Sequence, residues 1–378
     1  MRSMNLPNTP LWDDLAWSGL PALGGQLEAD LCVIGLGGSG LSAVLEGLRL
    51  GLRVIGIDAG IVAGGAAGRN GGFLLSGAAK FYHELVAERG SDSAKALYQL
   101  TIDEIERMTA QTPQAIRRVG SLRIASSSDE LEDCALHLAA LQQDGFAAEQ
   151  YAGLEGIGLL IPTDAAFNPL QRCRALAQIA LKASAKLFEH SEALEITGCT
   201  VRTARGTVNA RHVVVCVDGR LETLFPELAP RVRTARLQML GTAPDAEVTL
   251  PRPVYARWGY EYWQQLPDGR VTLGGFRDAE IEAEWTGEGT PSDSMQMRLE
   301  TFLREAIGVT APITHRWAAS VSYTADGRPI LERMASGAWA VGAYSGTGNV
   351  IGALCGRAAV EFAVTGSSRL REVLLTTG

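Results

Sequence analysis

Three glycines near the start of the chain have the spacing of a turn that binds phosphate. Gly35, Gly37 and Gly40 follow the apolar run 31–34, whose β-branched residues predict a buried strand, and a helical pattern covers 41–50. Such a unit uses its first glycine for a tight turn, its second to bring backbone close to a pyrophosphate, and its third to pack helix on strand. The N-terminus of the predicted helix then favours a negative charge.

An acidic residue follows the next predicted strand, residues 53–57. Asp58 stands where a carboxylate accepts a hydrogen bond from a ribose hydroxyl, and its charge would repel a 2′-phosphate. Strand, glycine turn, helix, strand and acid together predict a dinucleotide site. The alternative interpretation is a glycine-rich turn in an ordinary βαβ unit.

A second glycine-rich segment runs from Ala59 to Gly72 and reads Ala-Gly-Ile-Val-Ala-Gly-Gly-Ala-Ala-Gly-Arg-Asn-Gly-Gly. Its composition predicts a loop over a cofactor or, alternatively, a flexible loop in solvent. It resembles the Gly-Ala-Ser-Gly-Arg-Asn-Gly-Gly stretch of the D-amino acid oxidase superfamily of FAD enzymes, with Ala67 in place of the serine. The most similar branch contains glycine oxidase, sarcosine oxidase and, above all, γ-glutamylputrescine oxidase.

The resemblance extends over nearly the whole chain and is most specific at residues 29–72 and 316–365. The second block contains Arg316-Trp317, a turn at 324–329, a predicted strand at 338–341, and Ala343-Tyr-Ser-Gly-Thr-Gly348 before a predicted helix at about 350–364. The resemblance implies that this helix N-terminus faces the pyrimidine edge of the flavin, where its dipole favours negative charge. Thr347 replaces the histidine of the family, and Ala343 replaces a glycine.

FAD is the implied cofactor. We expect it to be bound non-covalently, because Ala319 stands where sarcosine oxidases carry the cysteine that tethers the flavin. The residues expected to bind FAD are Gly35, Gly37, Gly38, Ser39, Gly40, Asp58, Ala59, Gly65, Ala66, Ala67, Arg69, Asn70, Gly71, Gly72, Ala193, Leu194, Cys216, Gly219, Gly346, Thr347, Gly348 and Asn349. Asp218, beside Cys216, is unusual because the family has an apolar residue near the phosphates at that position.

The reaction implied by the resemblance is hydride transfer from a C–N bond of a small amine or amino acid to flavin N5, giving an imine. The candidates for contact with the substrate are Arg69, Tyr260, Tyr262, Arg277, Trp317 and Tyr344. Glycine-oxidase-type enzymes bind the substrate carboxylate with an arginine four residues after the tryptophan, where this chain has Val321. We therefore expect an amine rather than a free α-amino acid, unless Arg277 supplies the missing charge.

The electron acceptor is left open by the sequence. Sarcosine oxidases hold a lysine over the flavin to assist reaction with oxygen, and the matching position here is Thr272. No lysine occurs after Lys186, so we expect slow reaction with oxygen.

Two rival functions remain. One is a flavin-binding protein with little turnover that acts as a partner or sensor, which the departures at Ala67, Asp218 and Thr347 suggest. The other is a nicotinamide dehydrogenase.

Composition narrows the class of protein. The chain has 378 residues, 46% of them hydrophobic, and a net charge of −8, which argues against nucleic acid as the main partner. The six cysteines are scattered without metal-ligand spacing, so we expect buried thiols in a reducing compartment and no metal site. Residues 1–10 lack the apolar region of a secretory signal, and no apolar run approaches membrane-spanning length. A cytoplasmic enzyme with a small-molecule substrate and no membrane span is expected.

The expected fold class is α/β, with a Rossmann-like FAD-binding domain and a second, α+β substrate domain built on an antiparallel sheet. The FAD-binding domain would comprise residues 1–80, 169–230 and 313–378, and the substrate domain 81–168 and 231–312. In the latter, 254–266 and 270–276 predict two strands of a hairpin, with Trp258, Tyr260 and Tyr262 on one face at period two. Residues 1–28 are expected to form an irregular arm whose tryptophans, Trp12 and Trp17, pack on the first domain or bind a partner.

Overall fold

A computed structural model describes residues 6–13 and 16–376, so residues 1–5 and 14–15 of the expected arm lie outside the described residues. The strands are β1 Gly25–Ile34, β2 Val54–Ile57, β3 Phe73–Leu74, β4 Ile116–Arg117, β5 Ser121–Ile124, β6 Glu149–Gly153, β7 Gly156–Ile161, β8 Ala165–Phe167, β9 Lys186–Phe188, β10 Glu195–Thr197, β11 Thr200–Arg202, β12 Gly206–Val215, β13 Val232–Pro244, β14 Val254–Ala256, β15 Glu261–Gln265, β16 Arg270–Gly275, β17 Ile313–Thr324, β18 Ile330–Arg333 and β19 Trp339–Gly342. The α-helices are α1 Gly38–Arg49, α2 Ala66–Arg69, α3 Tyr82–Arg89, α4 Ser91–Gln111, α5 Ser128–Gln143, α6 Pro169–Lys182, α7 Leu221–Leu224, α8 Ile281–Glu284, α9 Asp293–Glu305, α10 Ile351–Thr365 and α11 Arg369–Leu375.

The first large sheet has β1 at its centre. Its main order is β10-β11-β12-β1-β2-β9, with β19 also paired to β12 and β18 paired to β19. Strand β1 pairs in parallel with both β12 and β2. Strand β2 pairs in parallel with β9, and β12 pairs in parallel with β19. Leu31 and Val33 face one hydrophobic cluster, whereas Cys32 and Ile34 face another. Burial on both faces explains why this strand reads as a continuous apolar run.

The second large sheet has the order β17-β13-β16-β15-β14-β5-β7-β6 and is antiparallel except for the β14–β5 pair. Helix α9 covers one face, where Met295, Leu299 and Leu303 are buried against Leu240 and Leu273. The α/β fold with a second antiparallel sheet is therefore confirmed. Strand β17 belongs to this second sheet, although the expected boundary at residue 313 placed its residues in the last cofactor-binding segment.

The prediction that 254–266 forms one strand was wrong. Strand β14 ends at Ala256, and the chain turns back immediately to form β15, which pairs antiparallel with β14. Arg257 and Trp258 have left-handed φ angles of 49° and 52°, and Gly259 follows with φ 92°. Trp258 and Tyr260 therefore lie in the turn rather than on one strand face with Tyr262, because three consecutive positive φ values reverse the chain.

The N-terminal arm packs on the rest of the molecule, as expected. Leu11 and Trp12 are each 1% exposed. Trp12 Nε1 donates to the carbonyl of Asn70 at 3.0 Å, and Trp17 Nε1 donates to Glu189 Oε1 at 2.9 Å.

Helix α4 ends before Pro113, as expected of a residue that breaks helices. Across residues 6–13 and 16–376, no helix combines the length and apolar character needed to cross a membrane.

Candidate active site

A cavity of about 1080 Å³ lies between the two large sheets. One end is formed by the glycine turn after β1, the loop after β2 and the segment before α10. The other end is formed by residues of β5, β13, β14, β15, β16 and β17 and of the turns next to them. We call these the glycine end and the tyrosine end.

The glycine end is shaped by close backbone approaches. Gly35 has φ 96°, and a Cβ there would lie 2.5 Å from the Cys216 carbonyl oxygen. A Cβ on Gly40 would lie 1.7 Å from the Gly35 carbonyl oxygen. Helix α1 starts at Gly38 with neither a side-chain cap nor an acidic residue in its first turn. Its first N–H groups are therefore available to an anion in the cavity.

Asp58 lies at the carboxyl end of β2 and lines the cavity. Its carboxylate accepts hydrogen bonds from Leu36 N at 2.7 Å and Gly60 N at 2.8 Å, which fix its orientation. Burial raises the pKa of this carboxyl above its ordinary value, while the two backbone donors oppose the rise. A carboxyl group held in this way retains lone pairs that can accept from a hydroxyl.

The loop after α2 is tied to the segment before α10 and to the second sheet. Asn70 Oδ1 accepts from Gly72 N at 2.9 Å and from Asn349 Nδ2 at 3.1 Å. Gln264, on β15, donates to the Gly71 carbonyl at 2.6 Å and the Gly72 carbonyl at 3.0 Å. These bonds position the glycine-rich loop between the two ends of the cavity.

Arg172, on α6, is a cavity-lining residue that sequence reasoning missed. It is only 2% exposed, and its Nε and Nη2 have no hydrogen-bond partner among residues 6–13 and 16–376. Burial lowers the pKa of its guanidinium to about 10. The Glu104 carboxylate offsets part of this charge. The two unbonded N–H groups can still donate to a ligand that carries negative charge.

Asp218 lies after β12 and ties three segments together. Its carboxylate accepts from Tyr344 N at 3.1 Å and Ser322 N at 3.3 Å, and its carbonyl accepts from Ser322 Oγ. Burial raises the pKa of this carboxyl to about 7. The unusual acid of the sequence is therefore a junction between β12, β17 and the segment before α10, and it lines the cavity.

The tyrosine end is a cluster of aromatic rings. Tyr255 and Tyr262 stack with centroids 6.0 Å apart, and Phe73 meets each of them edge-on at 5.9 Å. Tyr323, on β17, lines the same space. Burial raises the pKa of Tyr323 to about 12 and raises the pKa of Tyr262 as well. These phenols remain protonated at neutral pH, so they can donate hydrogen bonds but cannot serve as bases.

The structure separates the six candidates for substrate contact. Tyr260, Tyr262 and Arg277 line the tyrosine end. Tyr344 lies at the glycine end, where its hydroxyl donates to Ser39 Oγ at 2.8 Å.

Arg69 lines the cavity, but its Nε donates to the Ala318 carbonyl at 2.8 Å and its Nη2 to the Asn8 carbonyl at 2.9 Å. Trp317 is fully buried outside the lining and donates to the Arg69 carbonyl at 2.8 Å.

Most of the residues expected to bind FAD meet in the cavity wall: Gly35, Gly37, Gly38, Ser39, Asp58, Ala59, Gly65, Ala66, Ala67, Arg69, Asn70, Gly71, Ala193, Cys216, Gly219, Gly346, Thr347, Gly348 and Asn349. Three others do not line it. Gly40 packs behind the turn, Gly72 lies against Phe167 and Gln264, and Leu194 is 51% exposed.

Sequence reasoning also missed Arg123, Tyr255 and Tyr323, which line the tyrosine end. For Tyr323 a signal existed, because it continues the period-two series Ala319, Val321 along a strand. Arg123 and Tyr255 gave no comparable signal. They lie on β5 and β14, which are far apart in sequence and become neighbours only in the sheet.

A family model described as FAD dependent oxidoreductase, abbreviated DAO, matches residues 30–362. The chain belongs to this family. It is therefore an FAD-dependent oxidoreductase. Among curated relatives, the DAO-family chain is 24% identical to the probable oxidoreductase OrdL of Rhizobium meliloti, over 93% of this chain and 86% of the relative. It is 25% identical to the γ-glutamylputrescine oxidoreductase of Escherichia coli, over 89% of this chain and 84% of the relative.

Solved structures share the DAO fold. Glycine oxidase from Geobacillus kaustophilus superposes with a TM-score of 0.76 at 17% identity, covering 91% of this chain and 96% of the other. L-Amino acid deaminase from Proteus myxofaciens superposes with a TM-score of 0.75 at 14% identity, covering 94% of each chain. Identities this low establish the fold, while chemistry has to be argued from the site.

FAD fits the glycine end of this DAO-family chain. The glycine turn leaves room for backbone contact, and the start of α1 offers unpaired N–H groups. Arg172, elsewhere in the cavity wall, adds N–H donors that have no partner within the described part of the chain. An anionic diphosphate complements the glycine turn and the start of α1. The residue-by-residue assignment of FAD contacts remains a prediction.

Proposed function

We propose that the protein oxidises a C–N bond of a small amine or amino acid, with FAD at the glycine end and the substrate at the tyrosine end. The observation that carries this proposal is the single cavity that joins the glycine turn to Tyr255, Tyr262, Tyr323 and Arg277. Bound FAD supplies the hydride acceptor. The protein contributes binding, orientation and exclusion of water.

The side chains at the tyrosine end suit a neutral amine. Among the described residues that line the cavity there is no histidine or lysine, and the carboxyl-bearing ones, Asp58, Glu192 and Asp218, belong to segments of the first sheet. Phenols with raised pKa values cannot accept the amine proton. The substrate nitrogen therefore has to arrive unprotonated, with the stacked rings of Tyr255 and Tyr262 positioning it and excluding water.

Non-covalent attachment of FAD is part of the proposal. Ala319, at the position of the tethering cysteine, lines the cavity and offers no nucleophile. Two thiols also line it, Cys173 and Cys216, and burial raises their pKa values to about 11 and about 12. Since the thiolate is the reactive form, these cysteines are poor nucleophiles at neutral pH. Their burial also agrees with the cytoplasmic location that we propose for the enzyme.

Anaerobic titration with a panel of amines tests the proposal. The purified protein should show flavin absorbance, and a substrate amine should bleach it in the absence of oxygen. Acid precipitation should then release the flavin into the supernatant, which confirms non-covalent binding and counts the sites. Flavin that no amine or amino acid bleaches would contradict oxidation of a C–N bond and favour the binding or sensor function.

A further inference from the structure

Arg277, which follows β16, forms no salt bridge with the described residues of the chain. Its guanidinium lies 4.8 Å from the Trp285 ring centroid and 4.7 Å from that of Tyr323. Its Nη1 is buried without a hydrogen-bond partner within the described part of the chain. The neighbouring carboxylate of Asp278 is already held by Arg257 Nη1 at 2.9 Å and Nη2 at 2.7 Å.

Arg123, on β5, is in a similar position at the other side of the tyrosine end. Its guanidinium lies 5.3 Å from the Phe81 centroid and 5.8 Å from that of Tyr255, and no hydrogen bond or ion pair joins its side chain to the residues described. The nearby buried carboxylate of Asp164 accepts from Ser76 N at 2.7 Å and Ser121 Oγ at 2.6 Å instead.

Aromatic faces stabilise a guanidinium but leave the N–H groups at its edge free. Neither guanidinium forms a salt bridge with the residues described, although the Asp164 carboxylate offsets part of the Arg123 charge. Two such edges in one cavity attract anionic groups of a ligand. We propose that the substrate is an amine that carries two acidic groups, one bound by Arg277 and the other by Arg123, with the reacting C–N bond between them. This inference rests on the proposed amine oxidation and specifies its substrate class.

The sheet sets the separation of the two groups. Strands β16 and β5 are separated by β15 and β14, so their backbones lie three strand spacings apart, about 14 Å. Both arginines line the same cavity, so one ligand can contact both. The two acidic groups therefore belong at opposite ends of the substrate, as in an amino acid whose nitrogen carries a carboxyalkyl chain. Val321, uncharged in the cavity wall, leaves carboxylate recognition to these two arginines.

Straight-chain dicarboxylates from malonate to suberate, which cannot be oxidised at a C–N bond, are suitable probes. Their binding to the FAD-loaded protein is measured by perturbation of the visible flavin spectrum and by calorimetry, beside monocarboxylates of equal length. We expect affinity to peak at one intermediate length and to exceed that of the matching monocarboxylate by about tenfold to a hundredfold, since each charge-assisted pair contributes separately. Equal affinity of the two series, or no dependence on length, would overturn the inference.

Substitution of each arginine tests whether it binds one of the two acidic groups. Arg277→Gln and Arg123→Gln should each reduce the affinity of the best dicarboxylate to that of its monocarboxylate. Arg298→Gln, at an exposed position of α9 outside the cavity lining, should change nothing. Arg277→Lys and Arg123→Lys, which keep the charge, should recover part of the affinity and show that folding is intact. An unchanged dicarboxylate affinity in either glutamine variant would reject the two-arginine site. Tight dicarboxylate binding without flavin bleaching by any amine would instead reject the amine oxidation, and bleaching by uncharged amines alone would reject only the substrate class.

Discussion

The glycine end and the tyrosine end of the cavity are built in different ways. The glycine end consists mainly of backbone from short, contiguous stretches: the turn after β1, the loop 59–72 and the residues before α10. The tyrosine end consists of side chains from strands that are distant in sequence. The first tolerates little change in shape at Gly35 and Gly40, where an added Cβ meets backbone, whereas the second can change its side chains and hence its ligand. Within one enzyme, cofactor binding and substrate choice can thus vary separately.

The largest effect should come from closing the glycine turn. In Gly40→Ala the new Cβ would lie 1.7 Å from the Gly35 carbonyl oxygen, so we expect no folded, flavin-loaded protein. Gly38→Val, whose Cβ has no atom within 4 Å, should fold but lose FAD affinity on the order of a hundredfold, because the side chain fills cofactor space. Gly24→Ala, also in open space, is the control. For each of the three variants, circular dichroism measures folding and flavin fluorescence titration measures FAD affinity. Normal FAD affinity in Gly38→Val would show that the cofactor does not use this turn.

The next largest effect concerns oxygen and tests whether the tyrosine end supplies a cation to the flavin. Thr272 is fully buried on β16 and does not line the cavity, and Arg69 is engaged by backbone carbonyls. Without a lysine beside the flavin, we expect reduced flavin to react with oxygen roughly a hundredfold more slowly than in an oxidase that has one. The lost electrostatic stabilisation of the transition state is about 3 kcal/mol. Stopped-flow mixing of photoreduced protein with aerated buffer measures the rate of flavin reoxidation. The same experiment with an artificial acceptor gives the rate for comparison. Fast reoxidation that Arg277→Gln slows would assign the role to Arg277.

The smallest effect concerns Asp218, whose carboxylate bonds both to Tyr344 at the glycine end and to Ser322 on β17. Its pKa of about 7 is raised by burial, so the carboxyl is neutral below that pH and negative above it. A negative charge opposes the diphosphate of FAD, so FAD affinity should fall as pH rises through 7, on the order of tenfold. Fluorescence titrations across this range should show the fall in the native protein, a flat profile in Asp218→Asn and the native profile in the exposed control Asp103→Asn. A flat native profile would mean that the carboxyl does not ionise beside the cofactor.

The sequence alone determined the glycine end because its geometry is local. The spacing of Gly35, Gly37 and Gly40 dictates a turn at the end of a strand, and Asp58 follows from the next strand in the same unit. The two large sheets were also predictable, since β1 carries a continuous apolar run and 270–276 follows a clear turn. These features depend on neighbours within about thirty residues, where backbone conformation and hydrophobic pattern carry the information.

Only the tertiary structure decided the tyrosine end. The left-handed backbone at Arg257 and Trp258 splits an apparently continuous strand, and the resulting β14–β15 pair stacks Tyr255 on Tyr262. The parallel pairing of β14 with β5 brings Arg123 to Tyr255 across more than a hundred residues of sequence. Arg172 shows the same limit, because nothing in its helix reveals that its guanidinium lacks a partner. Such contacts depend on the register between distant strands, and hydrophobic periodicity does not encode that register.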